Sequence, residues 1–254
     1  MSKVIDLFAG LEGWSAAFKE HGDEIFTTDW EPSFDVDLVA DIRELDADDF
    51  PFQPDVILSS PPCEKFSIMT IGRYWNKDNT PKDPRAQEAI DTVQASLKLI
   101  EELNPKFWIM ENPLGKLRKL DFMQPYERRT VTYCKLGLPY RKATDLWGVF
   151  PPSLELPEPC KNGSPCHMAT PRGSKTGIQS NSSKQFGRLV HPDYIENPDR
   201  FAKPRGAKTY RGGITEEMAR YPSWSKERKQ LTAMRAKIPY DLSKLVHDAV
   251  ERDL

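Results

Sequence analysis

Short apolar runs separated by polar, turn-forming stretches set the reading of the first half of this chain. Val4-Ile5 with Leu7-Phe8, Ile25-Phe26-Thr27-Thr28, Leu38-Val39-Ala40, Val56-Ile57-Leu58 and Phe107-Trp108-Ile109-Met110 each have the length and content of a buried strand. Helical spacing appears between them. It predicts a short helix over Trp14 to Glu20 and a long one from Pro84, with Ala89, Ile90, Val93, Leu97 and Ile100 on one face. A further helix is expected over Leu114 to Met123, a strand over Arg129 to Cys134 and a closing strand over Thr144 to Phe150. Strands that alternate with helices in this way imply an α/β fold with a mostly parallel, doubly wound sheet.

The pattern changes at Pro151. From there to about Ser223 the chain is rich in Pro, Gly, Ser, Lys and Arg without sustained periodicity, and two helices follow over Ser225 to Ala236 and Ile238 to Val250. The expected organisation is a catalytic domain over residues 1–150, a small basic segment over 151–223, and C-terminal helices over 224–254 that pack back on the first domain. Ile68 to Lys82, polar but carrying Tyr74 and Trp75, is expected to be a mobile loop.

Charge sharpens this division. Residues 1–60 hold 3 Lys/Arg against 15 Asp/Glu, whereas the other 194 hold 33 against 23, so a net −2 conceals a gradient from −12 to +10. Over 151–235 the balance is 15 basic to 8 acidic residues, with Tyr194, Phe201, Tyr210 and Tyr221 interleaved, which suits a nucleic-acid surface. No run approaches the roughly 20 apolar residues of a membrane helix. The start Met-Ser-Lys has no signal-peptide pattern. Four cysteines in a chain of this length make no disulfide framework, so the expected setting is the cytoplasm, with no membrane and no obligate protein partner.

The ends of the apolar runs carry the chemistry. Gly10 and Gly13 allow a ligand to approach the backbone after the first strand, although no Gly-x-Gly-x-x-Gly fingerprint is present. Asp29 stands nineteen residues after Gly10, where an acid ends the second strand of a Rossmann-like unit and bonds a ribose. Trp30 offers a face for an adenine, and Asp41, after the third run, an acceptor for an exocyclic amine. Pro61 and Pro62 stop the fourth strand and stiffen the loop that holds Cys63, a candidate nucleophile. Glu111, at the end of the next strand, is suited to grip the edge of a base and supply a proton to a ring nitrogen. Cys160, Cys166 and His167 offer three candidate zinc ligands, but Cys166 and His167 are adjacent and no Cys-x-x-Cys pair exists, so spacing does not indicate a closed tetrahedral site; Cys134 or His191 would complete it only through tertiary contacts.

Taken in order, Asp6-Leu-Phe-Ala-Gly10, Asp29-Trp30, Asp41, Ser60-Pro-Pro-Cys63 with Phe66-Ser67, and Glu111-Asn112 resemble the DNA cytosine-5 methyltransferases. The resemblance implies a Rossmann-like class I methyltransferase fold with a small target-recognition segment. It implies S-adenosyl-L-methionine as cofactor, held by Phe8, Gly10, Asp29, Trp30, Asp41 and Pro61. Cys63 and Glu111 would be catalytic, and Ser67 and Asn112 would meet the substrate. Where the family carries Gln-x-Arg-x-Arg, this chain has Tyr140-Arg-Lys-Ala-Thr144, which sets Arg141, Lys142 and Thr144 at substrate-facing positions. The implied partner is double-stranded DNA with a flipped cytosine, in a restriction-modification or phage setting. Two alternatives stand beside it: the same chemistry on RNA, and a catalytically impaired nucleic-acid-binding protein of the same fold.

Overall fold

The computed structural model of the protein describes residues 1–68, 70–138, 141–161, 166 and 236–254. The apolar runs become strands β1 (Lys3–Leu7), β2 (Glu24–Asp29), β3 (Leu38–Val39), β4 (Val56–Ser59), β5 (Phe107–Pro113), β6 (Glu127–Thr132) and β7 (Ala143–Val149). They form one sheet in the order β3-β2-β1-β4-β5-β7-β6. β1 to β5 pair in parallel, and β7 runs antiparallel to β5. Parallel strands are covered on both faces, which explains why Val4, Ile5, Leu7, Val56, Ile57 and Leu58 are fully buried.

The helices are α1 (Ala16–His21), α2 (Ile71–Tyr74), α3 (Pro84–Leu103) and α4 (Tyr240–Asp253). Asp83 caps α3 by accepting the Arg85 N–H at 3.0 Å, and Pro84 at the first position has no amide hydrogen to leave unpaired. The buried stripe of α3 is Ala86, Val93, Ser96, Leu99, Ile100 and Leu103, so its centre lies slightly off the predicted face, with Ala89, Ile90 and Leu97 packed at the margin. No helix among the described residues is long and apolar enough to cross a membrane.

Several expectations need correction. β5 does not stop at Met110 but continues through Glu111 and Asn112 to Pro113, because β7 supplies antiparallel partners to all of them. The stretch Leu114 to Met123 is not one helix. It holds two 3-10 turns, Leu117–Lys119 and Asp121–Met123. Residues 68–82 are no open polar loop either: Tyr74 is 1% and Trp75 4% exposed, the Trp75 indole donates to the Lys65 carbonyl at 2.7 Å, and its ring lies 5.8 Å from that of Phe66. Burial of two large aromatics anchors this segment to the core. β7 closes nothing at the edge, since it lies between β5 and β6.

The chain divides into two compact units. The first comprises Met1–Thr130, Thr144–Leu156 and Lys237–Leu254; it holds the sheet, and within it α4 packs on α1. There the Ser243 hydroxyl accepts the Ala17 N–H at 3.0 Å and the His247 ring stacks on His21 at 4.1 Å. The second comprises Val131–Ala143 and Pro157–Ala236, so residues 131–143 group with the later chain and not with residues 1–130. Of the helix expected over Ser225 to Ala236 all but Ala236, and the aromatic residues Tyr194, Phe201, Tyr210 and Tyr221, lie outside the described residues.

Candidate active site

Because β1 to β5 are parallel, their carboxyl ends open on one edge of the sheet, and this gathers most of the residues singled out above. Leu7 pairs with both Thr28 and Ser59, and Ser59 with Met110, so the segments that follow start from adjacent positions. Cross-links carry the alignment beyond the strands. The Ala9 N–H donates to the Thr28 carbonyl at 2.9 Å, Ala40 to Asp29 at 3.0 Å and Ser60 to Leu7 at 3.1 Å.

The turn after β1 is shaped for close approach. Phe8 and Gly10 have φ of +62° and +54°, and the Gly10 N–H donates to Asp29 Oδ2 at 3.0 Å. Asp29 Oδ1 accepts from the Glu31 N–H at 2.9 Å, while burial raises the carboxyl above its ordinary range against those bonds. Beside it Trp30 is 61% exposed, an indole face with no burial role. Asp41 is differently engaged. Its carboxylate takes the Arg43 Nε–H at 2.9 Å and caps the 3-10 turn Ile42–Glu44, and the Arg43 hydrogen bonds hold it below its ordinary pKa.

β4 delivers the Pro-Pro-Cys loop, and three links fix it. Trp14 Nε1 donates to Ser60 Oγ at 2.8 Å; Asn112 Nδ2, fully buried on β5, donates to the Pro61 carbonyl at 3.0 Å; and the Cys63 carbonyl accepts the amides of Phe66 and Ser67 at 3.1 and 3.0 Å. The return is clamped as well. Ser67 bridges Gly115, the Lys116 N–H donates to the Phe66 carbonyl at 2.7 Å, and a Cβ on Gly115 would lie 2.2 Å from that oxygen. Only glycine fits there. Cys63 is therefore half-exposed on a rigid loop whose Pro61 is tied to the residue after Glu111.

Glu111 is 4% exposed and lies opposite Leu146 in the ladder. Thr144, opposite Pro113, is fully buried, and its hydroxyl has no hydrogen-bond partner among the described residues. Arg141 and Lys142 belong to the second unit. There Arg141 Nε donates to the Cys160 carbonyl at 3.1 Å and Lys142 Nζ lies 3.2 Å from the Tyr133 hydroxyl.

Two features escaped the sequence reading. One is the pair of partly exposed Arg118 and buried Asp145, joined by Arg118 Nε to Asp145 Oδ2 at 2.7 Å, with the Thr130 hydroxyl also donating to Asp145 at 2.7 Å. Asp145 stands opposite Asn112, so this pair supports the strand end that carries the loop clamp. Its members lie 27 residues apart, and no local pattern announces it. The other is the approach of Cys134, Cys160 and Cys166, which spacing along the chain did not foretell.

Against known proteins, the profile of the C-5 cytosine-specific DNA methylase family matches residues 2–121. A probable DNA (cytosine-5)-methyltransferase of Frog virus 3 is 27% identical over 179 residues, covering 63% of this chain and 78% of that protein. The type II methyltransferase M.HgiGI of Herpetosiphon aurantiacus is 31% identical over 123 residues, covering 43% of this chain and 89% of its own length. M.DdeI of Desulfomicrobium norvegicum is 34% identical over 129 residues, but the chain spans only 28% of it. In three dimensions the S. pombe Dnmt2 methyltransferase aligns over 99% of both chains with a TM-score of 0.52 at 16% identity, a likeness of fold.

Proposed function

Because the chain belongs to the C-5 cytosine-specific DNA methylase family, we propose that it methylates carbon 5 of a flipped cytosine in double-stranded DNA, with Cys63 as nucleophile and Glu111 as the acid that binds the base. The observation that carries the assignment of roles is the Asn112 to Pro61 hydrogen bond, which ties the loop of the thiol to the strand of the acid.

S-adenosyl-L-methionine is the methyl donor, and when bound it supplies a sulfonium methyl group. The donor set fits it. Asp29 offers a carboxylate for a ribose hydroxyl pair, Trp30 an open indole face for the adenine, and the turn of Phe8 and Gly10 a backbone free of side-chain bulk at its glycine. Asp41 and Pro61 border the same edge of the sheet.

Carbon 5 of cytosine is a weak nucleophile, so the chain has to raise its electron density. The Cys63 thiolate adds to carbon 6 while Glu111 hydrogen-bonds the ring at nitrogen 3 and shares a proton with it; electron density moves to carbon 5, which becomes able to take the methyl group. Removal of the carbon 5 proton and expulsion of the Cys63 sulfur restore the aromatic ring. Rigidity of the loop matters because attack requires near-contact alignment. Extruding the base costs a few kcal/mol, and the surplus of basic residues over 151–235 offers phosphate contacts to offset that cost. Ser67, Arg141, Lys142 and Thr144 are assigned to the acceptor side, whereas Asn112 acts through the loop it holds.

DNA with 5-fluorocytosine at target positions tests this reading, since fluorine cannot leave as a cation and the adduct is trapped. Incubation with cofactor is expected to give a covalent protein–DNA species, absent in Cys63→Ala although that variant still binds cofactor. An adduct that survives Cys63→Ala, or methyl transfer to transfer RNA but not to duplex DNA, overturns it.

A further inference from the structure

We propose that Cys134, Cys160 and Cys166 bind a zinc-class divalent cation as thiolates, at a site within the second unit. The three sulfurs lie within 4.8 Å of one another, with Cys134 Sγ 3.1 Å from Cys160 Sγ and 3.7 Å from Cys166 Sγ. A tetrahedron with Zn–S bonds of about 2.3 Å has edges of about 3.8 Å, whereas a disulfide brings its sulfurs to about 2.05 Å. The cluster therefore has the dimensions of a ligand set. Cys160 is buried and its two companions are half-buried, so the group is neither a surface accident nor an inert core contact.

The chemistry of three thiols suits a soft cation at this position. Each thiol would lose its proton to solvent as its sulfur forms a bond to the metal, and soft thiolates prefer a zinc-class cation over Mg²⁺ or Ca²⁺.

The surrounding bonds fit a structural role. The Cys160 N–H donates to Thr132 Oγ1 at 3.0 Å, the Cys160 carbonyl accepts from Arg141 at 3.1 Å, and the Tyr133 N–H donates to the Lys142 carbonyl at 3.0 Å. These hydrogen bonds orient the ligand backbone, as outer-shell partners do. A metal at the three sulfurs would fasten residues 131–143, which carry Arg141 and Lys142, to the segment around Cys160. The fourth coordination position is assigned to no described residue.

The full chain, purified under reducing conditions without chelator, is expected to hold about one zinc per molecule by elemental mass spectrometry. Cys134→Ser and Cys160→Ser should each reduce the content at least tenfold, Cys134→His should keep it because a ligand is retained, and Cys63→Ala should leave it unchanged. Cobalt substitution should give a sulfur-to-metal charge-transfer band that Cys134→Ser removes. Metal-free protein that does not take up added zinc overturns the proposal. So does zinc content indifferent to Cys134→Ser, or a Cys134–Cys160 disulfide found in the purified protein by peptide mapping.

Discussion

Asp6 lies in the middle of β1 with no exposed surface, and only one carboxylate oxygen is paired, with the Ser15 hydroxyl donating to Oδ2 at 2.8 Å. Burial raises its pKa from 3.8 to about 7, against the Ser15 bonds. The folded state therefore prefers the protonated form, so this contribution to stability is complete below the ordinary carboxylate range and is lost as pH rises toward about 7. Asp6→Asn has no such proton to lose. Its stability relative to the parent is expected to rise between about pH 4 and 7, by up to about 4 kcal/mol at about 1.36 kcal/mol per unit, and to level off above that; urea titrations over this range measure it. The placement of single side chains was legible where a strand end fixes them. Cys63, Glu111, Asp29 and Trp30 could be named from the residues that terminate each apolar run, because a parallel sheet places those termini along one edge. Asp41 shows the limit: nothing in its neighbourhood reveals that Arg43 two residues on occupies its carboxylate.

At the scale of elements, the end of β5 depends on β7. The Arg118–Asp145 pair is buried on its acidic side, and loss of one partner leaves the other charge uncompensated. Arg118→Met is expected to destabilise the protein by about 3 kcal/mol, read as a lower urea midpoint at unchanged slope. Activity should fall with it only as far as Asn112 loses its grip on Pro61. The parallel strands and α3 were readable because each keeps one periodicity over its whole length. β5 was cut short in the sequence reading because Glu111 and Asn112 are polar, and only an antiparallel neighbour distant in sequence makes them ladder members. The 68–82 stretch misled for a related reason. Its lysines and asparagines dominate its composition, while Tyr74 and Trp75 decide where it packs.

For the whole molecule, the decisive element is α4, which closes the first unit from the far end of the chain. Leu242, Val246 and Val250 are fully buried, and at roughly 1.5 to 3 kcal/mol each they contribute about 5 to 9 kcal/mol, comparable to the roughly 5 to 15 kcal/mol that separates folded from unfolded domains. A chain ending at residue 236 is expected to show no cooperative thermal transition by circular dichroism at 25 °C and above. The amphipathic spacing announced this helix, but not its seat on α1 nor that residues 131–143 would leave the first unit for the second. Chain order then has a consequence for synthesis. A ribosome emits the β1 to β5 strands first, yet Ser243 and its neighbours reach α1 only after the interrupting unit has been made. The nascent polypeptide thus carries Cys63 on an unfinished scaffold while residues 64–236 are made, and the first unit can close only once residues 237–254 have emerged.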